Sequence, residues 1–284
     1  YISFKVNNEI VTNIDLDDEY RYLISLNSEL KNTDNTTILK LAKESIIKEK
    51  IKKNEIQKFY KLGKSTDFLD EVVKIYYKKV GMKNLDEFKS YLDKNDLDLQ
   101  VVKDKIEIEM LWNRLVGTLY EKQININEEF LKKQINESSN NTKFDTEYEL
   151  SEIVFQIVGE TDLFNKVDLI KKDVIEKGFK NAANLHSISD SSKFGGNIGW
   201  FGENQLSQKT VIAIKDLKIG ELSEPLTITN GFLILRIEDK KQKKVEMDKD
   251  KLLKDAIAFE KNKQYKQFSI IHYNKIKLNS IISE

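Results

Sequence analysis

Cysteine is missing from all 284 residues. That excludes disulfides, thiolate nucleophiles and cysteine-based zinc sites, and it fits the cytosol and the bacterial envelope equally well. Histidine is nearly missing too, with only His186 and His272. Two isolated imidazoles with no local carboxylate pattern do not compose a metal site. Each is read as a packing or surface residue, and neither a metal nor a cofactor is expected. Net charge is also lacking, with 47 basic residues against 47 acidic ones, so nothing in the total favours nucleic acid or an anionic membrane. Lysine greatly outnumbers arginine, which argues against clusters of planar forks for phosphate recognition. No run approaches the ~20 apolar residues of a membrane span. Phosphate loops, dinucleotide fingerprints and catalytic triads are all absent.

What is present describes a folded chain. Apolar residues make up 39% and aromatics 10%, enough for sizeable cores and, at this length, for two domains. Tyr1 stands where an initiating Met would, so a processed product is expected, with a signal peptide removed before it.

The periodicity changes along the chain. Residues 2–6 and the segment near Ile10-Val11 alternate as short strands around an Asn7-Asn8 turn. From Asp15, a candidate N-cap, to about Asn141 the pattern is helical. Helices are predicted near 37–60, near 85–93, over about 98–122 and near 127–135. A further one carries Leu69, Val72, Val73, Tyr76 and Val80 at i, i+3, i+4, i+7 spacing. Residues 136–146 are rich in Asn, Ser and Thr and read as a linker. Beyond it come a strand (148–158), two helices (162–177, 179–185), a strand (197–201) and a helix (208–217) closed by Gly220. Two strands (222–228, 231–237), a helix (248–268) and a possible strand (270–278) follow. The order argues α+β. A short two-stranded element has too little core to stand alone, so the two chain ends are expected to pair. The expected arrangement is a mostly helical composite domain, 1–146 completed by 243–284, with residues 147–242 inserted as an α/β lobe.

Several charged or aromatic groups attract attention. The lysine-rich stretch 43–61 reads as a solvated face. The carboxylates at Asp15, Asp17, Asp18 and Glu19 are expected where a helix macrodipole begins. Trp112, Tyr76, Tyr77 and Tyr91 read as core residues that would otherwise line a groove for unfolded chain.

Two motifs carry the most information. Residues 192–201 read SKFGGNIGWF, and about thirty positions later 230–237 read NGFLILRI, an Asn-Gly turn feeding an apolar strand. With Phe179, Ala182-Ala183, Ser187 and the run Gly220-Glu221-Leu222-Ser223-Glu224-Pro225, they resemble a parvulin-type, PpiC-like peptidyl-prolyl isomerase domain. Around it, Val6-Asn7-Asn8-Glu9-Ile10-Val11-Thr12 and the acidic helix start look like the opening of the SurA/PrsA family of extracytoplasmic chaperones and foldases. The resemblance implies a periplasmic location, unfolded polypeptide clients such as outer-membrane proteins, and no cofactor.

It also implies a site. Parvulins twist the X-Pro bond, whose uncatalysed barrier is ~18–20 kcal/mol, with an apolar prolyl pocket, a hydrogen-bonded histidine pair and a nearby Cys or Asp. Carried over residue by residue, the histidine positions fall on Glu152 and Leu233. The Cys/Asp position falls on Ser189, with Asp190 one residue away. The pocket positions fall on Leu206 and Thr210, and Phe232 and Trp200 join them as expected peptide contacts. A carboxylate only accepts hydrogen bonds whereas imidazole both donates and accepts, and leucine does neither. The expectation is therefore a parvulin framework that has lost catalysis and serves a chaperone. The alternative is an active isomerase with an atypical site built from Glu152, Ser189 or Asp190, and Thr210.

Overall fold

A computed structural model of the chain describes residues 1–63, 67–139, 144–157, 162–229, 231–244 and 249–283. The fold is α+β and mostly helical, with two small sheets. It divides into two compact units: Tyr1–Leu119 with Ser269–Glu284, and Tyr120–Phe268. These divisions fall at 119/120 and 268/269, whereas the composition shifts in the sequence suggested 146/147 and 242/243.

In the first unit, strands β1 (Ile2–Val6) and β2 (Glu9–Thr12) form a hairpin. Asn7 takes the left-handed backbone conformation there (φ 53°), which asparagine tolerates better than most residues. Phe4, Val6 and Val11 bury their side chains against Ile46, Ile47 and Ile51 of helix α2 (Asn35–Ile56). The helix expected to begin at Asp15 starts earlier. Thr12 is the N-cap of α1 (Asn13–Leu26): its Oγ1 accepts from the Asp15 N–H at 3.3 Å, while Asp15 Oδ2 accepts from the Thr12 N–H at 2.7 Å. This reciprocal capping box puts the acid at the third helical position.

Helices α3 (Asp67–Lys79), α4 (Leu85–Asp93) and α5 (Leu99–Tyr120) follow. Leu69, Val73, Tyr77, Phe88, Leu92, Val102 and Ile106 close one core with Tyr22 of α1. Trp112 is fully buried, so the core reading of that ring and of Tyr77 holds. Two charged side chains depart from the sequence reading. Lys52, within the stretch read as solvated, is 1% exposed and reaches Glu109 Oε2 at 2.6 Å. Glu19, read as a macrodipole acid, is 2% exposed and accepts from Lys105 Nζ at 2.6 Å and Ser45 Oγ at 2.6 Å. Burial disfavours the Lys105 charge, but Glu19 and Glu49 together outweigh that and raise its pKa.

The second unit holds α6 (Glu128–Ser139), β3 (Phe144–Phe155), α7 (Leu163–Lys177), α8 (Phe179–His186) and β4 (Asn197–Gly202). Helix α9 (Gln208–Ile214), β5 (Leu226–Ile228) and β6 (Gly231–Lys244) complete the lobe, and α10 (Lys249–Lys277) follows it. The four strands pair antiparallel in the order β4-β3-β6-β5. Alternation along the strands separates two cores. Ile153, Phe155 and Ile234 pack on Val167, Ile170, Phe179, Ala182 and Ala183 of α7 and α8. On the other face Tyr148, Leu150, Leu235 and Ile237 pack with Leu206, Ile214 and Leu226, joined by Phe259 of α10.

Two glycines of the motifs are dictated by close approach. A Cβ on Gly196 (φ +82°) would stand 2.5 Å from the Glu152 carbonyl oxygen, and one on Gly231 (φ +135°) 2.2 Å from that of Phe155. Asn230, the other half of the expected turn, lies outside the described residues, as does part of the expected linker. Gly220 does not close α9, which ends at Ile214. It lies in the following turn and donates its N–H to the Ile237 carbonyl at 2.7 Å. The expected strand at 270–278 is the last part of α10. The chain ends do pair, through β7 (Ile282–Ser283), which lies antiparallel to β1.

Candidate functional site

Strand β3 positions the first site residue. Glu152 stands opposite Leu235 in the β3–β6 ladder, and Leu233 stands opposite Val154. Same-face neighbours on a strand are two residues apart, so Glu152 and Leu233 share one face, diagonal to each other. Leu233 packs into the cluster that contains Leu206, Leu226 and Leu235.

The chain leaving α8 folds back beside the end of β3. The Ser187 hydroxyl accepts from the Val154 N–H at 3.0 Å, and the Ile188 N–H donates to the Val154 carbonyl at 2.7 Å. This brings Ser189, 8% exposed, to Glu152, also 8% exposed. The Ser189 hydroxyl donates to Glu152 Oε1 at 2.7 Å, and the Ser191 hydroxyl lies 2.9 Å from the same oxygen. On the same edge of β3 the Glu152 N–H donates to the Gly196 carbonyl at 2.8 Å, and the Glu152 carbonyl oxygen lies 2.5 Å from where a Cβ on Gly196 would stand. Ser189 is in contact with Glu152, whereas Asp190 is exposed in the first turn of a short 3₁₀ helix.

Of the other expected contacts, the structure brings Leu206 to this face and not Thr210, Phe232 or Trp200. Leu206 is buried (8% exposed) on the Leu233 side. Thr210 is occupied in capping α9: its N–H donates to Ser207 Oγ at 3.1 Å and its hydroxyl lies 2.8 Å from the same oxygen. Its hydroxyl therefore serves the helix start rather than a pocket floor. Phe232 stacks on Phe155 at 5.7 Å in the core under α7 and α8, on the face opposite Leu233. Trp200 pairs with Glu149 across the β3–β4 ladder and lies under the Lys241 ammonium at 3.8 Å. Phe232 and Trp200 are thus placed away from the Glu152–Leu233 face by strand alternation.

The histidines have carboxylate neighbours that linear spacing concealed. His186 Nε2 lies 2.6 Å from Asp173 Oδ2 of α7, and His272 Nε2 lies 3.9 Å from Glu55 of α2. His186 is therefore engaged with α7 and not with Glu152. Chemically, the Glu152 cluster offers an acceptor carboxylate and two hydroxyls beside an apolar wall. It holds no imidazole.

Residues 158–239 match the family model of the rotamase, or PPIC-type PPIase, domain. The lobe is a parvulin-type rotamase domain. Curated proteins similar to this chain include chaperones and foldases. Chaperone SurA of Pseudomonas putida is 24% identical over 180 residues, which is 61% of this chain and 42% of that protein. Foldase protein PrsA of Geobacillus kaustophilus is 34% identical over 90 residues, covering 32% of this chain and 31% of that one. The chain spans less than half the length of the curated relatives it matches. Among solved structures, one from the work on PEB4 and Cj1289, two SurA-like chaperones of Campylobacter jejuni, covers 99% of this chain and 98% of its own, at 13% identity and a TM-score of 0.36.

Proposed function

We propose that this chain is a chaperone that captures unfolded polypeptide in the bacterial cell envelope, and that its rotamase domain no longer catalyses proline isomerisation. One observation carries the second half. Both positions that the family resemblance assigns to histidine are filled by side chains committed elsewhere, Glu152 to Ser189 and Ser191, and Leu233 to the apolar cluster. A catalyst of this reaction must stabilise the twisted amide over both planar isomers. A carboxylate whose Oε1 accepts from two hydroxyls, with a leucine diagonal to it, contributes no donor to that state.

The chaperone half is supported by the names of the relatives, SurA and PrsA. Capture would be reversible and without ATP, lowering the free concentration of aggregation-prone chain. Outer-membrane proteins in transit through the periplasm are the proposed clients. In an aggregation assay, urea-denatured outer-membrane protein diluted into the full chain is expected to stay soluble. A proline-containing peptide followed in the same buffer is expected to isomerise at the uncatalysed rate. Failure to suppress aggregation overturns the chaperone reading.

The second reading is an active isomerase with an atypical site, favoured by the 2.7 Å contact that joins Glu152 to Ser189. A rate enhancement abolished by Glu152→Ala would establish it and overturn the loss of catalysis.

A further inference from the structure

Away from the Glu152 face, helices α7 and α8 assemble a chain of four ionisable groups. Lys166 Nζ lies 3.3 Å from His186 Nδ1, His186 Nε2 lies 2.6 Å from Asp173 Oδ2, and Lys177 Nζ lies 2.8 Å from Asp173 Oδ1. The arrangement fixes the tautomer. Nε2 carries the hydrogen and donates to Asp173, which leaves the Nδ1 lone pair facing the Lys166 ammonium. An amine, a base within hydrogen-bond reach and a carboxylate that orients the base form the general pattern of an activated nucleophile.

We infer that Lys166 is a reactive amine primed for N-acylation by activated acyl donors such as acyl phosphates, with His186 as its base and Asp173 as the positioning residue for His186. Desolvation lowers the Lys166 pKa against the opposing pull of Asp173, so more of it is free amine near neutrality. Burial, together with the Lys166 and Lys177 charges, outweighs Asp173 and lowers the His186 pKa, so the imidazole is neutral and able to accept a proton. The Lys166 ammonium first yields one proton through His186 to solvent. The free amine then attacks the acyl carbonyl carbon, the C–N bond forms, and the C–O bond to phosphate breaks with its electron pair leaving on phosphate. The second proton on nitrogen departs by the same imidazole. The product amide has no charge to offer His186.

Exposure alone predicts the opposite selectivity. Lys172, one and a half turns along the same helix, has a side chain 66% exposed, whereas Lys166 is only partly accessible. The test treats the full chain with acetyl phosphate at pH 7 and measures acetylation at each lysine by peptide mass spectrometry. Lys166 is expected to react about tenfold faster than Lys172, because the ~100-fold at the low end of what a positioned base contributes is offset by its partial burial. The ratio should shrink toward one above pH 10.5, where ordinary lysines also become free amines. His186→Gln keeps an acceptor near Lys166 but cannot take a proton. It and Asp173→Asn should each bring Lys166 down to or below the Lys172 rate while leaving Lys172 unchanged. A wild-type ratio at or below one, a ratio that does not vary with pH, or a ratio that survives His186→Gln would each overturn the inference. The first two readouts need no variant to fold.

Discussion

Among single residues, His272 is expected to make the helical unit sensitive to acid. Its ring lies 5.4 Å from Trp112 of α5, and Glu55 of α2 faces it at 3.9 Å. Burial lowers its pKa, Glu55 opposes, and Lys275 and Lys58 add to the lowering. A histidine whose folded pKa lies below its unfolded value of about 6.5 binds more protons when unfolded. Its contribution to stability is therefore full above pH 6.5 and is lost as pH falls through the folded pKa. The urea midpoint is expected to fall between pH 7 and pH 5, and His272→Phe, which keeps a ring against Trp112, should flatten that fall. An unchanged slope in the variant would assign the acid sensitivity elsewhere. None of this was legible from linear spacing, because Trp112 and Glu55 lie 160 and 217 positions away in the sequence. Glu152 and Ser189 could be named from the sequence only through the family resemblance. That Ser191 joins them, and that Asp190 turns outward, depends on the 3₁₀ turn that follows.

Whole elements show where sequence reasoning gains and loses hold. Helix α4 and the amphipathic α3 could be read directly, because apolar residues at helical spacing have one way to bury themselves. Residues 270–278 misled for the complementary reason. Ile270, Ile271 and Tyr273 have strand-forming side chains, yet His272, Tyr273 and Ile276 bury along one helical stripe, with Tyr273 and Ile276 packing on Phe4, Val6 and Ile47. Distant packing overrides local preference there. The N-terminus of α1 was misplaced because an acid at the third position of a capping box resembles a cap. The glycine signature marks a close approach of two backbones, and its consequence can be measured. Gly196→Ala would push a Cβ to 2.5 Å from the Glu152 carbonyl at a positive φ. The strain should cost about 2 kcal/mol or more, read as a lower thermal midpoint of the rotamase lobe. Gly199, also at positive φ but with open space around its Cβ position, serves as the comparison: its alanine variant should lose less. Equal losses would mean that backbone conformation, and not the Glu152 contact, imposes the motif.

For the molecule as a whole, the question is whether the proposed loss of isomerase chemistry would lie in two side chains or in the scaffold. The ladder argues for the side chains. Glu152 and Leu233 lie diagonally across β3 and β6 on one face. Diagonal neighbours in an antiparallel pair are roughly 7–8 Å apart at Cα, a span that long or aromatic side chains bridge. Two imidazoles at these positions would therefore reach one another, with Ser189 beside the first and the Leu206 wall beside the second. The double variant Glu152→His, Leu233→His is expected to accelerate isomerisation of a proline-containing peptide where the parent chain does not. Either single variant should remain near the background rate, because the pair acts as a unit. Replacing Thr210 by Phe as well should strengthen peptide binding, lowering KM more than it raises kcat, if the aromatic completes the prolyl wall. Its cost is the hydroxyl contact to Ser207 that helps start α9. Holding of unfolded chain should be unchanged in the double variant, since reversible capture requires no twisting of a proline bond. A silent double variant that folds and still suppresses aggregation would place the loss of catalysis in the scaffold. An active parent chain would remove the premise that the two side chains mark a loss at all.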